Sequence, residues 1–458
     1  MVALRFLALA YAAIAIALFA ARPAATPGPV ARDFEAYWSA GVTANAGADA
    51  YSRRIWKAES SVPGVDRRRD ELLPFIGPPP ALLAWRQFAR MPYAVAAVLW
   101  CALLAVALVA LIVSALRGCG QRVAPASFLA AAALAIACGP ITSDLALGQV
   151  ALLSFAAATL FVVVVDRSLL AAAAAAVVAV AQPNVALGLA SQLGRTRATL
   201  AMIAGLAVAY GLGALALGLD WPRRYAIAAV AHGAAERFAA IQITPAAVAY
   251  GFGLPANAAW ALGIAAAIAA VAAGVALVAR VRDSFARFAG CSALVPFAAA
   301  FVHEHDLLVA YAAALWCALQ TRGAKRIIAF VGTLLVCIDW LGLAQRPSGI
   351  VQTALLALAA AAAFAALAPA GESRATRAIL PIAALFAVAA WIAALHPAPV
   401  WPDGLGLYHA PPHASAAAVW LAEQRANGLL AVAPAWAFLR TLPLAGCALL
   451  AYAIYRCS

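Results

Sequence analysis

Carboxylate and aromatic side chains crowd into the stretch ARDFEAYWSAGVTANAGADAY, residues 31–51 of the chain. A carboxylate such as Asp33 is suited to act as a general base that takes a proton from an attacking hydroxyl group. Glu35, Tyr37 and Tyr51 belong to the same stretch and are candidates for binding a polar substrate. The stretch therefore predicts a site for chemistry at a hydroxyl group, with Asp33 as the base.

The same stretch carries a helical pattern. Its apolar and aromatic positions recur at i, i+3, i+4 and i+7, namely Phe34, Tyr37, Trp38 and Gly41. This spacing predicts an amphipathic helix at the membrane surface, with Asp33 at or near its N-cap. The pattern leaves a second interpretation open, in which Asp33 only caps the helix and the aromatic rings belong to an interfacial belt.

Further polar clusters interrupt the apolar sequence. They are SDLALGQ with Asp144 and Gln149, AQPN with Gln182, and FVHEHD with His303, His305 and Asp306. Amides and imidazoles are hydrogen-bond donors suited to a polar headgroup. The histidine pair fixes no third metal ligand by its spacing, so the sequence indicates no metal and no cofactor, although a divalent ion is left open.

The composition decides which kind of protein must position these groups. Of the 458 residues, 67% are hydrophobic and 11% are charged, and the mean hydropathy is +0.94. Such a chain cannot cover its surface with polar groups, so we expect an integral membrane protein. Unbroken apolar runs favour an all-α polytopic fold over a β-barrel and predict about 12–14 transmembrane helices.

The charges predict how the helices are oriented. The formal net charge is +13, and Arg and Lys concentrate in short loops on one side, which the positive-inside rule assigns to the cytoplasm. This pattern favours membrane orientation over nucleic-acid binding as the reason for the basic composition. The polar clusters then share the opposite side, facing the periplasm or exterior of a bacterial inner membrane. The orientation requires residues 169–193 to cross an even number of times, which predicts a hairpin.

A single transmembrane domain is expected over residues 1–458, with longer outer loops at 23–92 and 396–428. In the first loop, the three prolines of IGPPPALLAW break the chain before a second short predicted helix at 81–90. Two interfacial helices joined by a basic linker would form a groove open to lipid headgroups. Membrane lipids are therefore expected partners.

The order of these segments resembles glycosyltransferase family 87. The resemblance rests on DFEAYWSAG…GADAY, PPPALLAW…MPYAVAAVLW, LALGQVALLSF, AVAQPNVAL and HEHDLLV, which together cover about residues 30–320. Two positions depart from the family pattern: Ala151 stands in place of the usual Asn, and Gln182 stands in place of a basic residue. A glutamine donates hydrogen bonds but carries no charge for a phosphate.

The resemblance implies a GT-C type membrane enzyme. It would transfer a hexose, typically mannose, from a polyprenyl-phosphate sugar to a lipid or cell-envelope glycan acceptor on the extracytoplasmic side, with inversion. Asp33 would match the catalytic base of the family, Gln149 its GQ amide and His305 its turn histidine. Because Gln182 replaces a basic residue, either Arg residues of the first loop bind the phosphate, or the donor binds differently, or activity is weaker.

Two other classes of function remain open from the sequence. A secondary transporter or flippase of a lipid-linked substrate would place charged or broken helices near the membrane midplane. The acids of this chain lie at predicted helix ends instead. A non-catalytic membrane scaffold would have no need for polar clusters on one face, so the sequence favours the transferase.

Overall fold

The computed structural model describes residues 10, 31–65, 67, 70, 72–340, 350–369, 373–394, 409–410 and 413–457. Every regular element in this described part is helical, and the expected all-α fold is therefore confirmed. The predicted first span at about 3–22, apart from residue 10, lies outside the described residues. Residues 395–408, at the start of the last predicted loop, lie outside them as well.

The described helices follow one another through the chain. The first predicted loop contains α1 Phe34–Asn45, α2 Ile55–Glu59 and α3 Pro79–Phe88. The next helices are α4 Tyr93–Gly118, α5 Pro125–Ile136, α6 Gly139–Leu147, α7 Ala151–Val164, α8 Leu169–Ala179, α9 Pro183–Ala186, α10 Thr196–Leu217, α11 Trp221–Glu236, α12 Pro245–Gly251 and α13 Ala256–Arg280. The last helices are α14 Ser284–Ala298, α15 Tyr311–Gln320, α16 Gly323–Cys337, α17 Ile350–Ala366, α18 Ser373–Ala394, α19 Ala416–Ala426 and α20 Pro434–Cys457. Two 3-10 helices lie between them, at Leu187–Gln192 and His305–Ala310.

The length and apolar character of the helices identify a polytopic membrane protein. By these measures, 4 described helices are able to cross a membrane, namely α4, α10, α13 and α20. A further pair, α5 and α6, passes the same test together but is bent by 72°, where Gly139 and Pro140 open the second helix. Several predicted spans form shorter apolar helices of 10–17 residues, so the described part has fewer full-length spans than the apolar runs predict.

Small residues allow the helices to approach one another closely. At the contact of α16 and α20, a Cβ atom added to Gly446 would lie only 2.7 Å from the carbonyl oxygen of Gly332. Backbones that come this near exclude any larger side chain, which is a common solution for helix pairs in lipid. Glycine thus has a packing role at this contact.

The segment 169–193 forms the hairpin that the charge pattern predicts. It leaves the Asp166 end along α8, turns at Gln182, and returns through α9 and the 3-10 helix Leu187–Gln192. At the end of this return, Arg195 forms a 2.6 Å ion pair with Asp166. The Arg197 Nε atom also donates a 3.2 Å hydrogen bond to the carbonyl oxygen of Val165. The entry and exit of the segment therefore lie side by side.

The helix ends that carry the short basic loops also meet one another. The Gln320 amide donates to the carbonyl oxygen of Cys119 at 3.1 Å, and Lys325 donates to the carbonyl oxygen of Arg456 at 2.5 Å. Arg326 differs from the other basic residues of these loops in its burial. Arg326 is fully buried and donates to the carbonyl oxygens of Ala318 and Phe364, so its contacts are with helix ends of the protein.

Helices α1 and α3 lie near the predicted positions, but α1 packs inside the protein. Its aromatic residue Phe34 is fully buried, and Tyr37 is only 9% exposed. A Cβ atom added to Gly41 would lie 2.2 Å from the backbone oxygen of Trp85 in α3, so glycine permits the close contact of these helices. The face expected to contact lipid therefore contacts protein instead.

Candidate active site

Asp33 occupies the N-cap position of α1 without capping it. Among the described residues, its side chain makes no capping hydrogen bond to the helix. Its carboxylate accepts a 2.6 Å hydrogen bond from the Gln149 amide nitrogen, while its backbone N–H donates to the Leu147 carbonyl at 2.8 Å. The side chain is partly exposed, and its partner is a glutamine of a distant segment instead of its own helix.

The turn that carries Gln149 is built around a glycine. Gly148 ends α6 in the left-handed region, with φ of 72°, a conformation that costs glycine little. The Trp100 indole donates a 2.7 Å hydrogen bond to the Gly148 carbonyl and fixes the turn. The Tyr37 hydroxyl donates to the Gln149 side-chain oxygen, so the amide hydrogens face Asp33.

Aromatic rings pack beside Asp33, Tyr37 and Gln149. Phe34 stacks on Trp100 with ring centroids 5.8 Å apart, and Tyr37 stacks on Trp85 with centroids 4.9 Å apart. Buried stacked rings resist rotation because each face is already covered by a neighbour. Phe34 and Tyr37, which the sequence pattern assigned to an interfacial helix, are thus held in position by Trp100 and Trp85.

A second polar group forms where the hairpin tip meets the turn after α14. The Gln182 amide donates to one carboxylate oxygen of Asp306 at 2.5 Å, and the His303 backbone N–H donates to the other at 2.9 Å. The His305 imidazole lies 3.9 Å from Asp306, and the rings of His303 and His305 are 5.4 Å apart. These four predicted residues therefore form one cluster.

A buried carboxylate that the sequence reasoning missed adjoins this cluster. Glu236, at the end of α11, lies 3.2 Å from His232 and 3.5 Å from His303. It accepts hydrogen bonds from the Gln242 amide at 2.8 Å and from the Trp420 indole at 2.9 Å. The i, i+4 spacing of His232 and Glu236 was the available signal in the sequence.

The remaining predicted residues lie around these groups. Asp144 is fully buried and caps α7 by accepting a 3.1 Å hydrogen bond from the Leu152 backbone. Tyr51 donates a 2.8 Å hydrogen bond to the Gly77 carbonyl, away from Asp33. Glu35 is 5% exposed in the packed face of α1. The structure thus joins Asp33, Tyr37 and Gln149 directly, whereas it gives Tyr51 other contacts.

Burial sets the protonation of the acids. It raises the pKa of Asp33, against the hydrogen bond from Gln149 and the charge of Arg32, which lower it. Burial also raises the pKa of Glu35 to about 8 and that of Asp306 to about 6. A carboxylate with a raised pKa is a stronger proton acceptor than an ordinary aspartate.

His303, His305 and Asp306 lie close enough together to bind a metal ion, so we asked whether their ligand atoms are free to do so. One ligand atom from each of the three side chains lies within 4.8 Å of the others. This is the one such group among the described residues. Both Asp306 oxygens already accept hydrogen bonds from protein groups, and the His303 Nε2 atom lies 2.9 Å from the Gln242 amide nitrogen. Protein donors satisfy these atoms, so we derive no step through a metal.

Comparison with known proteins gives one match. The model of a family described as glycosyltransferase family 87 matches residues 75–302. This segment includes Gln149, Gln182 and Glu236, begins after Asp33, and ends one residue before His303. No curated protein and no solved structure matches the chain significantly.

Proposed function

The chain belongs to glycosyltransferase family 87, and we propose that it transfers a hexose from a polyprenyl-phosphate sugar to a lipid or cell-envelope glycan. In this proposal the sugar is mannose, Asp33 is the general base, and transfer inverts the anomeric carbon. The reaction takes place at the periplasmic or outer face of a bacterial inner membrane, where the polar clusters would meet both lipid-linked substrates.

The observation that carries the proposal is the state of the Asp33 carboxylate. It could have satisfied its oxygens by capping α1, yet it bonds to the Gln149 amide, 116 positions away in the chain. Asp33 and Gln149 remain partly exposed, as do Gln182 and His303, while Asp144, Asp306 and Glu236 around them are buried. A catalytic site needs polar side chains that a substrate can contact and that buried neighbours hold in place.

The proposed reaction is a single displacement. The acceptor hydroxyl oxygen forms a bond to the anomeric carbon while the bond from that carbon to the phosphate oxygen breaks. The electron pair of the breaking bond stays on the phosphate, and the hydroxyl proton moves to Asp33. The hydrogen bond from Gln149 orients the carboxylate, and the raised pKa of Asp33 favours proton uptake.

The leaving phosphate needs hydrogen-bond donors or positive charge. Gln182 and the His303 backbone N–H both donate to Asp306 at the hairpin tip, and we assign the phosphate to these two residues. Gln182 already donates to Asp306, which orients its amide toward the turn. Gln182 supplies an uncharged donor at the position where the family pattern has a basic residue.

The test uses the protein in nanodiscs with radiolabelled polyprenyl-phosphate mannose and a bacterial membrane lipid extract. Wild-type protein is compared with Asp33→Asn and with Asp49→Asn, which changes an exposed acid of the same loop. We expect label to move to a new lipid or glycan in wild type and Asp49→Asn, and transfer to fall at least about 100-fold in Asp33→Asn. Full transfer by a folded Asp33→Asn protein would exclude Asp33 as the base.

A second outcome concerns the class of the protein. If wild-type protein transfers no label from this donor or from other polyprenyl-phosphate sugars, the transferase proposal fails. Movement of the intact labelled donor between the two leaflets of a proteoliposome would then indicate a flippase. The two readouts are chemically distinct, because only transfer breaks the sugar–phosphate bond.

A further inference from the structure

Gln242 uses its whole side chain in a buried network beside the candidate active site. It is fully buried in the segment between α11 and α12. Its side-chain oxygen accepts a 2.8 Å hydrogen bond from the Val302 backbone. Its amide nitrogen lies 2.8 Å from a Glu236 oxygen and 2.9 Å from the His303 Nε2 atom.

The orientation of this amide follows from its partners. The Val302 N–H is a donor and requires the Gln242 oxygen, while the Glu236 carboxylate accepts and requires the Gln242 nitrogen. If the amide were rotated by half a turn, its nitrogen would face the Val302 N–H, donor against donor. Its oxygen would face the Glu236 carboxylate, acceptor against acceptor. The Ile243 N–H also donates to the Val302 carbonyl at 2.7 Å, which ties the two segments together. The amide therefore has a hydrogen left for His303.

Two groups compete for the Nε2 atom of His303. Burial lowers the pKa of this imidazole, whereas the carboxylates of Glu236, Asp306 and Asp33 raise it; on balance these effects would give a pKa of about 9 and place a proton on Nε2. The carboxylate is 3.5 Å from Nε2, a distance at which a hydrogen bond is weak. The Gln242 amide nitrogen lies 2.9 Å from Nε2 and needs a lone pair on it to donate a hydrogen bond. We infer that this shorter contact keeps the proton off Nε2.

Glu236 lies closer to a second imidazole than to His303. His232 lies 3.2 Å from the same carboxylate oxygen, and both side chains are almost fully buried. Burial raises the pKa of Glu236, but the facing imidazoles of His232 and His303 lower it well below its usual value. Glu236 also accepts hydrogen bonds from the Gln242 amide and the Trp420 indole, so its carboxylate has partners other than His303.

We propose that Gln242 is a positioning residue that holds His303 as the neutral tautomer with its proton on Nδ1. Histidine in water prefers the other neutral tautomer, so this state depends on the protein. The Nδ1–H group is then the single ring donor of His303, and it is available to the leaving phosphate. This last role rests on the proposed transferase function, whereas the tautomer itself does not.

The direct test is nuclear magnetic resonance of the full chain in nanodiscs with 15N-labelled histidine. The sequence contains 6 histidines, and a His303→Gln sample identifies the His303 signals by their loss. We expect a protonated Nδ1 and an unprotonated Nε2 at pH 7. A proton on Nε2, with or without one on Nδ1, would overturn the proposal even if no transferase activity were found.

Variants connect the tautomer to the reaction. In Gln242→Leu the His303 proton is expected to move to Nε2, and kcat is expected to fall about tenfold while KM for the acceptor stays within about twofold. The matched control is Gln424→Leu, which removes another fully buried amide whose nitrogen and oxygen have no hydrogen-bond partner among the described residues. This control should keep both the tautomer and kcat.

The outcomes separate this inference from the proposed function. A wild-type protein without transferase activity but with the Nδ1–H tautomer would refute the function and keep the positioning role of Gln242. Unchanged His303 signals in a folded Gln242→Leu protein would refute that role. If Gln242→Leu does not fold, the wild-type spectrum still decides the tautomer.

Discussion

The Gln149 amide nitrogen lies 2.6 Å from the Asp33 carboxylate and joins the start of α1 to the turn before α7. On its other side, the Gln149 oxygen accepts from the Tyr37 hydroxyl. This chain of donors fixes the direction of the amide and leaves part of Asp33 reachable. The pair connects a carboxylate that sequence analysis assigned to proton transfer with a glutamine that it assigned to substrate binding.

Replacing Gln149 by leucine should slow the reaction and shift its pH dependence. The hydrogen bond from Gln149 lowers the pKa of Asp33, so its loss lets burial raise that pKa further. A base works only when ionised, so activity grows as pH rises through the pKa of Asp33. The acid limb of kcat/KM should therefore move to higher pH, with at least about a tenfold loss of kcat at pH 7.

Gln87→Leu provides the control for that measurement, because Gln87 is an exposed glutamine of α3. Its pH profile should match that of wild type. An acid limb that stays in place in Gln149→Leu would show that the amide does not control the protonation of Asp33.

Tyr37→Phe removes the hydroxyl that orients Gln149 and keeps the ring. The ring stack on Trp85, with centroids 4.9 Å apart, should preserve the fold. We expect the free energy of unfolding to fall by about 1 kcal/mol, the contribution of one hydrogen bond, and kcat to fall severalfold. Turnover and thermal unfolding would be measured beside Tyr210→Phe, whose exposed hydroxyl bonds to the Leu219 carbonyl. Wild-type kcat in Tyr37→Phe would contradict the orienting role.

Gly148→Ala should disrupt the turn that presents Gln149. The residue has φ of 72°, and an added Cβ would lie 2.6 Å from the Ala31 Cβ atom. Gly120→Ala is the matched control, because Gly120 has φ of 71° but no atom within 4 Å of an added Cβ. Both variants bear the backbone cost of about 1 kcal/mol, and only Gly148→Ala adds a collision. Chemical or thermal unfolding should show the larger loss at Gly148; equal losses would mean that Ala31 moves aside freely.

Glu35 predicts a pH-dependent stability. Burial raises its pKa from 4.5 to about 8, so the folded protein holds a proton that the unfolded chain releases. The resulting stability is fully present below pH 4.5 and is lost as pH rises through about 8. Tryptophan fluorescence should show a Tm that falls from pH 5 to pH 8, and less steeply in Glu35→Gln. Identical slopes in the two proteins would refute a raised pKa for Glu35.

Several features of the fold were predictable because they depend on neighbours in the chain. The length of an apolar run indicates a membrane helix, and the charges at its ends predicted the hairpin that the contact of Arg195 with Asp166 bears out. The start of α1 at Phe34 followed from the helical spacing after Asp33. The number of full-length spans did not follow, because Gly139 and Pro140 bend an apolar run without making it less apolar.

Apolar runs, charges and helical spacing did not predict which residues each side chain contacts. An amphipathic pattern states which face of α1 is apolar, but lipid and protein satisfy that face equally well. Packing against α3 decided the question in favour of protein, with Gly41 against Trp85. The capping interpretation of Asp33 lost its support in the same way, because the carboxylate bonds to Gln149 in a distant segment and not to α1. The role of Asp33 as a base stays a prediction.

The sequence by itself determined that the chain forms apolar helices, that polar groups interrupt them at a few places, and that those groups include Asp33, Gln149 and Asp306. These properties follow from residue type and spacing, which act over a few positions. Only the tertiary structure brought Glu236 and Gln242 beside His303. Hydrogen bonds between segments depend on how helices pack in three dimensions, and spacing along the chain carries no record of that packing.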